Sequence, residues 1–138
     1  MIAATCRLRK HSDYQRVYAA SRKQFARQMS YFFMVRPLLG PDGGPMRDAH
    51  FGTARIGLTV PKALGKAVDR NRIKRRMREA VRMQLPLLTK PVDVVLHPRR
   101  SVIDLDFAAL EREVASVFRM IQKSAGKHAQ PTPPRAAE

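Results

Sequence analysis

A chain of 138 residues, 44% of them hydrophobic, suits one domain with a buried core and is too apolar for a disordered basic tail. Its 27 Lys and Arg against 11 Asp and Glu leave a formal charge of +16, a field that draws polyanions: nucleic acid first, an anionic membrane surface second. No apolar run approaches the roughly 20 residues of a spanning helix, the opening MIAATCRLRK lacks a signal peptide's order of charge and apolar stretch, and the lone Cys6 permits no internal disulfide and no cysteine-based metal site. A cytoplasmic location is the default expectation.

Residues 1–11 are basic and without clear period. SDYQRVYAAS then reads as a helix that ends near residue 22, with Ser12 as N-cap and Gln15 completing a capping box. Tyr14, Val17 and Tyr18 fall on one face of it. QMSYFFMVRPLL, residues 28–39, reads as a strand closed by Pro37. Alternation sets Tyr31, Phe33 and Val35 on one face and Phe32, Met34 and Arg36 on the other, the Arg36 face being expected to meet solvent or ligand. The turn-rich GPDGGPMRDAH, residues 40–50, leads to FGTARIGLTV, residues 51–60, read as two short strands or one with a bulge. Within it Ile56, Leu58 and Val60 oppose Arg55, Gly57 and Thr59.

KALGKAVDRNRIKRRMREAVRMQL, residues 62–85, holds the main helix, with Asp69 as candidate N-cap. VDVVLH, residues 92–97, is a β-branched run between prolines and reads as a buried strand. DLDFAALEREVASVFRMIQK, residues 104–123, reads as a second long helix. Leu110, Val114, Val117, Phe118 and Ile121 make its core stripe, and Asp104 or Asp106 its cap. Residues 1–123 are thus expected as one domain and 124–138 as a disordered tail. This order predicts an α+β or α/β sandwich, with helices over one face of a small mixed sheet and the other face open to a ligand.

The main helix is strongly one-sided. Projected at 100° per residue, Ile73, Met77, Ala80 and Val81 make an apolar stripe, and Asn71, Arg75, Arg78 and Arg82 gather opposite it. Arg72 and Arg76 flank one edge and Lys74 the other, while Arg70 leaves near the apolar side at the first turn. Residues 55–82 carry ten basic side chains against two acidic ones. A merely solvated face would mix signs to gain i,i+4 pairs. A ridge of guanidinium forks suits phosphates and base edges instead, and free amides near Asp69–Arg72 add to anion binding. Tyr14, Tyr18 and Phe32 are either core or a stacking platform beside these cations, and the platform favours unpaired RNA over DNA.

Metal-dependent phosphodiester hydrolysis needs several gathered carboxylates. Asp104 and Asp106 are the nearest pair and read as helix caps, Asp93 lies in a strand without an obvious partner, and the histidines at 11, 50, 97 and 128 form no ligand motif. The sequence therefore shows no nuclease site of its own.

The segment AVDRNRIKRRMREA resembles the signature of the bacterial ribonuclease P protein component. ARIGLTVPKALGKAV before it, and RLRKHSDYQRVY at the N-terminus, resemble that family's flanking segments, and the likeness runs from about residue 7 to residue 122. The resemblance implies a helix–three strands–helix–strand–helix fold with a left-handed crossover, against the usual hand. It implies a protein subunit that binds a catalytic RNA and the 5′ leader of precursor tRNA, and that assists Mg2+-dependent cleavage on the RNA. Arg70, Asn71, Arg72, Lys74, Arg75 and Arg78 match the RNA-binding motif. Lys62 matches a family lysine; Ala63 stands where the family carries a second basic residue, with Lys66 as the near substitute. Tyr14 and Tyr18 take the places of the family's aromatic cleft residues, and Phe32, Met34 and Thr59 line the same leader-binding cleft. A ribosome-associated RNA-binding module and a protein-only nuclease are the competing readings, and neither DNA nor membrane is an expected partner.

Overall fold

The computed structural model describes residues 7–8, 10–36 and 54–129; Cys6, the 40–50 loop with His50, and residues 130–138 of the expected tail lie outside the described residues. Helix α1 spans His11–Ala20, strands β1, β2 and β3 span Gln24–Phe25, Met29–Val35 and Arg55–Leu58, α2 spans Ala67–Gln84, β4 spans Val92–Pro98 and α3 spans Phe107–Ala129. Single 3-10 turns at Lys62–Leu64, Leu85–Leu87 and Arg100–Ile103 bracket α2 and follow β4.

The sheet order is β1-β2-β4-β3. β4 is central, antiparallel to β2 (Tyr31 opposite Leu96) and parallel to β3 (Ile56 opposite Val94). The chain passes from β3 through α2 to the neighbouring parallel strand, a crossover connection.

Strand alternation splits the interior in two. Met29 and Tyr31 of β2, Ile56 of β3 and Val92, Val94 and Leu96 of β4 face α2 and α3. There they meet Ile73, Met77, Ala80 and Val81 of α2 and Leu110, Val114, Val117, Phe118 and Ile121 of α3, the two stripes that periodicity predicts. Each buried Val, Leu, Ile, Met or Phe among them contributes about 1.5–3 kcal/mol. On the other face Leu8, Val17 and Val95 make a smaller cluster with Tyr14, Tyr18, Phe32 and Met34 around it. Helices are thus not confined to one face: α1 lies across the second, because its Tyr14–Val17–Tyr18 stripe needs an apolar partner and Val95 supplies it. Only part of that face stays open.

Helix starts differ from the expected caps. α1 begins at His11 because the Lys10 carbonyl accepts the Asp13 and Tyr14 amides. Ser12 is therefore inside the helix, and no side chain caps it. α2 begins at Ala67, so Asp69 sits in the first turn instead of capping it. Gly65 turns the chain there at φ 137°, and a Cβ would meet the Arg100 guanidinium. Arg100 donates to the Leu64 carbonyl (2.6 Å) and lies 3.6 Å from the Asp69 carboxylate, fixing this junction. α3 follows Asp106, whose carbonyl accepts the Leu110 amide, while Asp104 closes the preceding 3-10 turn. α3 also runs past residue 123, because Ala125 extends its stripe into the core.

Candidate nucleic-acid interface

Burying Ile73, Met77, Ala80 and Val81 turns the opposite side of α2 to solvent. Asn71, Arg72, Arg75 and Arg78 are exposed, as are Lys62 and Lys66 before the helix; Arg70 and Lys74 are half-buried. Among the described residues, no carboxylate lies within ion-pair range of Lys62, Lys66, Arg70, Arg72, Lys74, Arg75 or Arg78. Arg70 donates to the Gly65 carbonyl (3.2 Å). Arg82 instead pairs with Glu79, whose carboxyl its hydrogen bond holds below the ordinary carboxylate range. Arg76 turns inward: it donates to the Leu105 carbonyl, and its guanidinium lies 5.7 Å from the Phe107 ring centroid. The RNRIKRR run therefore divides into an anchor, Ile73 and Arg76, and a cationic ridge. Such a ridge carries like-charge repulsion of a few tenths of a kcal/mol per i,i+4 pair, relieved when an anion neutralises it.

The cleft lies on the other face, between α1 and the sheet. The Tyr18 hydroxyl is 3.0 Å from His97 Nε2 and 3.4 Å from Thr59 Oγ1. Phe32 meets the Tyr18 ring edge-on at 4.8 Å between centroids and lies 5.4 Å from the His97 ring. Tyr18, Phe32 and Thr59 are thus brought together, half-buried, with polar atoms at one end and ring faces at the other. Tyr14 is next to them but more committed to packing. Its ring sits on Gly57, where a Cβ would come within 2.7 Å of it, and its hydroxyl donates to the Leu8 carbonyl (3.4 Å). Burial pushes the Tyr14 phenol above its ordinary value. Met34 lies farther along the same face, opposite Asp93.

Below α1, this face closes over ions. Asp93 is fully buried and accepts from Arg55 through Nε (2.9 Å) and Nη2 (2.7 Å), and from Arg36. Asp13 of α1 approaches Arg55 at 3.9 Å. Two corrections follow. Arg36 occupies the expected face but is buried, because Asp93 draws its guanidinium inward. Asp93 has two partners, brought to it by β2 and β3 from 57 and 38 residues away in sequence.

His97 is the cleft residue that sequence reasoning passed over as a scattered histidine. Alternation along VDVVLH puts His97 on one face with Asp93 and Val95, but only the sheet register, which pairs Val95 with Phe32, shows that this is the cleft face. Burial, and then the Lys23 charge, hold its imidazole below the ordinary value. Among the described residues no three His, Cys, Asp or Glu side chains gather as a metal ion would require. An open recess beside the start of α2, lined by Asp69, Arg72, Arg100 and Asp104, sets two carboxylates against two guanidiniums, so it has no net preference for an anion.

Comparison with known proteins bears on these surfaces. The family model for ribonuclease P matches residues 2–122. The ribonuclease P protein component of Finegoldia magna is 34% identical over 113 residues, 82% of this chain and 88% of that protein. The one from Bacillus velezensis is 32% identical over 124 residues, covering 88% and 96%. Among solved structures, the RNase P protein of Thermotoga maritima superposes with a TM-score of 0.66 at 21% identity, over 83% of this chain and 96% of that one.

Proposed function

Because the chain belongs to the ribonuclease P protein family, and so is a protein component of the endoribonuclease that matures tRNA 5′ ends, we propose that its two surfaces divide the RNA between them. The α2 ridge, with Arg70, Asn71, Arg72, Lys74, Arg75, Arg78, Lys62 and Lys66, docks on the catalytic RNA. The cleft of Tyr18, Phe32 and Thr59, bordered by Tyr14 and Met34, takes the unpaired 5′ leader of precursor tRNA. The observation that carries this reading is the ridge: a helix face of cations without carboxylate partners among the described residues, on the chain that also forms an aromatic cleft.

The division follows from chemistry. Guanidinium forks bind phosphates regardless of sequence, as docking on a folded RNA requires. Half-buried rings accept any base by stacking, as a leader of variable sequence requires. In this reading the Mg2+ is held mainly by the RNA. The protein's part is to neutralise phosphate repulsion between two RNAs and to hold the leader. Ala63 leaves Lys62 without a basic neighbour at the next position, and exposed Lys66 supplies that charge one turn on. In this reading the protein works in the cytoplasm, with neither DNA nor membrane as a partner.

The test is reconstitution with the cognate catalytic RNA at low Mg2+. The protein is expected to raise leader cleavage above that of the RNA alone, and no increase overturns the reading. Tyr18→Ala is expected to weaken leader-bearing tRNA by about 1–3 kcal/mol and to leave mature tRNA unchanged; equal losses on both overturn the leader assignment.

A further inference from the structure

Phe25 is the most exposed aromatic among the described residues, at 69% of its full surface. β1 is only Gln24–Phe25, and among the described residues the Phe25 ring joins neither apolar cluster. Its surroundings are cationic: Arg22, Lys23 and Arg27 are all exposed, and the Lys23 ammonium lies 5.8 Å from the Phe25 ring centroid.

The sheet register says where this ring lies. Phe25 pairs with Ser30, and Ser30 pairs with His97 on its other side. Directly opposed residues share a face, so Phe25, Ser30 and His97 form one row across three strands, on the face that carries Phe32 and Tyr18. Two strand spacings, about 10 Å, separate Phe25 from His97. The small Ser30 side chain, itself buried, lies between them. Lys23 acts at both ends of the row, over the Phe25 ring and on the His97 imidazole, whose charged form it disfavours.

We propose that the cleft continues along this row to the edge of the sheet, and that Phe25 is a second stacking station for single-stranded RNA, reached only by a leader long enough to cross His97 and Ser30. This rests on the leader assignment of the cleft and adds a length dependence to it. Lys23, Arg22 and Arg27 hold the phosphates as the strand leaves the sheet, and the exposed Phe25 ring accepts a base of any sequence. The arrangement favours unpaired RNA over a folded partner protein, because an isolated ring ringed by cations stacks one base at a time and offers no apolar area to bury.

The experiment uses the reconstituted holoenzyme and precursor tRNAs whose leaders are lengthened one nucleotide at a time. Phe25→Ala is expected to leave mature tRNA and short leaders unchanged, and to weaken longer leaders by about fivefold, the low end for one stacked base. The chain has no tryptophan, so Phe25→Trp adds a sole indole whose fluorescence is expected to be quenched by long leaders only. A loss independent of leader length, a loss of catalytic-RNA binding, or no loss with no quenching overturns the proposal. Tyr18→Ala in the same series separates the two readings. If it discriminates leader and Phe25→Ala does not, only the extension fails; if neither discriminates, both fail.

Discussion

Asp93 is the residue at which three strands are tied together. One buried carboxylate serves two buried guanidiniums, Arg36 just after β2 and Arg55 from β3, with Asp13 of α1 as the second negative charge nearby. Removing one member of such a set leaves charge in a medium that solvates it poorly. Asp93→Asn is therefore expected to cost about 3–5 kcal/mol, read as a fall in the urea midpoint with little change in slope; a loss below 1 kcal/mol contradicts the network. His97 acts by titration. Its folded imidazole is held below the ordinary 6.5 by burial and then by Lys23, so the unfolded chain binds the proton more readily. Stability from this group is complete above pH 6.5 and is lost as pH falls toward the depressed folded value. Urea unfolding between pH 7 and 5 is expected to show this loss, and His97→Asn to remove that part of the slope.

At the scale of elements, α1 and α2 show why part of the site was legible in the sequence and part was not. The α2 stripe and ridge could be read directly, since helical spacing separates Ile73, Met77, Ala80 and Val81 from the arginines without needing a partner's position. Arg76 could not, because its acceptor, the Leu105 carbonyl, is 29 residues away. The two kinds of arginine separate in a salt titration. Arg75→Ala or Arg78→Ala is expected to lower the slope of log K against log salt by about 0.9 for catalytic-RNA binding, one phosphate's worth, with unchanged fold stability. Arg76→Ala is expected to cost about 1–3 kcal/mol in stability and leave the slope alone. α1 was legible as an amphipathic helix, but its stripe names no partner, so its place on the second face was not. Gly57 is the consequence. Its missing Cβ is the space the Tyr14 ring occupies, so Gly57→Ala is expected to destabilise by about 1–3 kcal/mol and to impair leader discrimination. Adding Tyr14→Ala should restore part of the stability lost, a coupling that a double-mutant cycle measures.

For the whole molecule, element order and both long helical stripes could be read from periodicity, while the crossover was implied only by the family resemblance. What could not be read were relations between distant segments: the ion network, the Tyr18–His97 contact and the row from Phe25. The helix starts at Lys10 and Lys66 escaped for a local reason, backbone turns that begin without a capping side chain. The position of β4 has a further consequence. It is the last of the described strands and lies between β2 and β3, so those two strands are joined only when it arrives. A chain emerging from the ribosome carries α1, β2 and the whole α2 ridge before that strand exists. It can gather RNA by charge alone, but it has neither core nor cleft. Loop closure of this kind makes for slow, late assembly. A nascent chain stalled before Val92 should therefore be sensitive to protease along its length, and release of the residues through α3, which packs against α2, should protect α1 and α2.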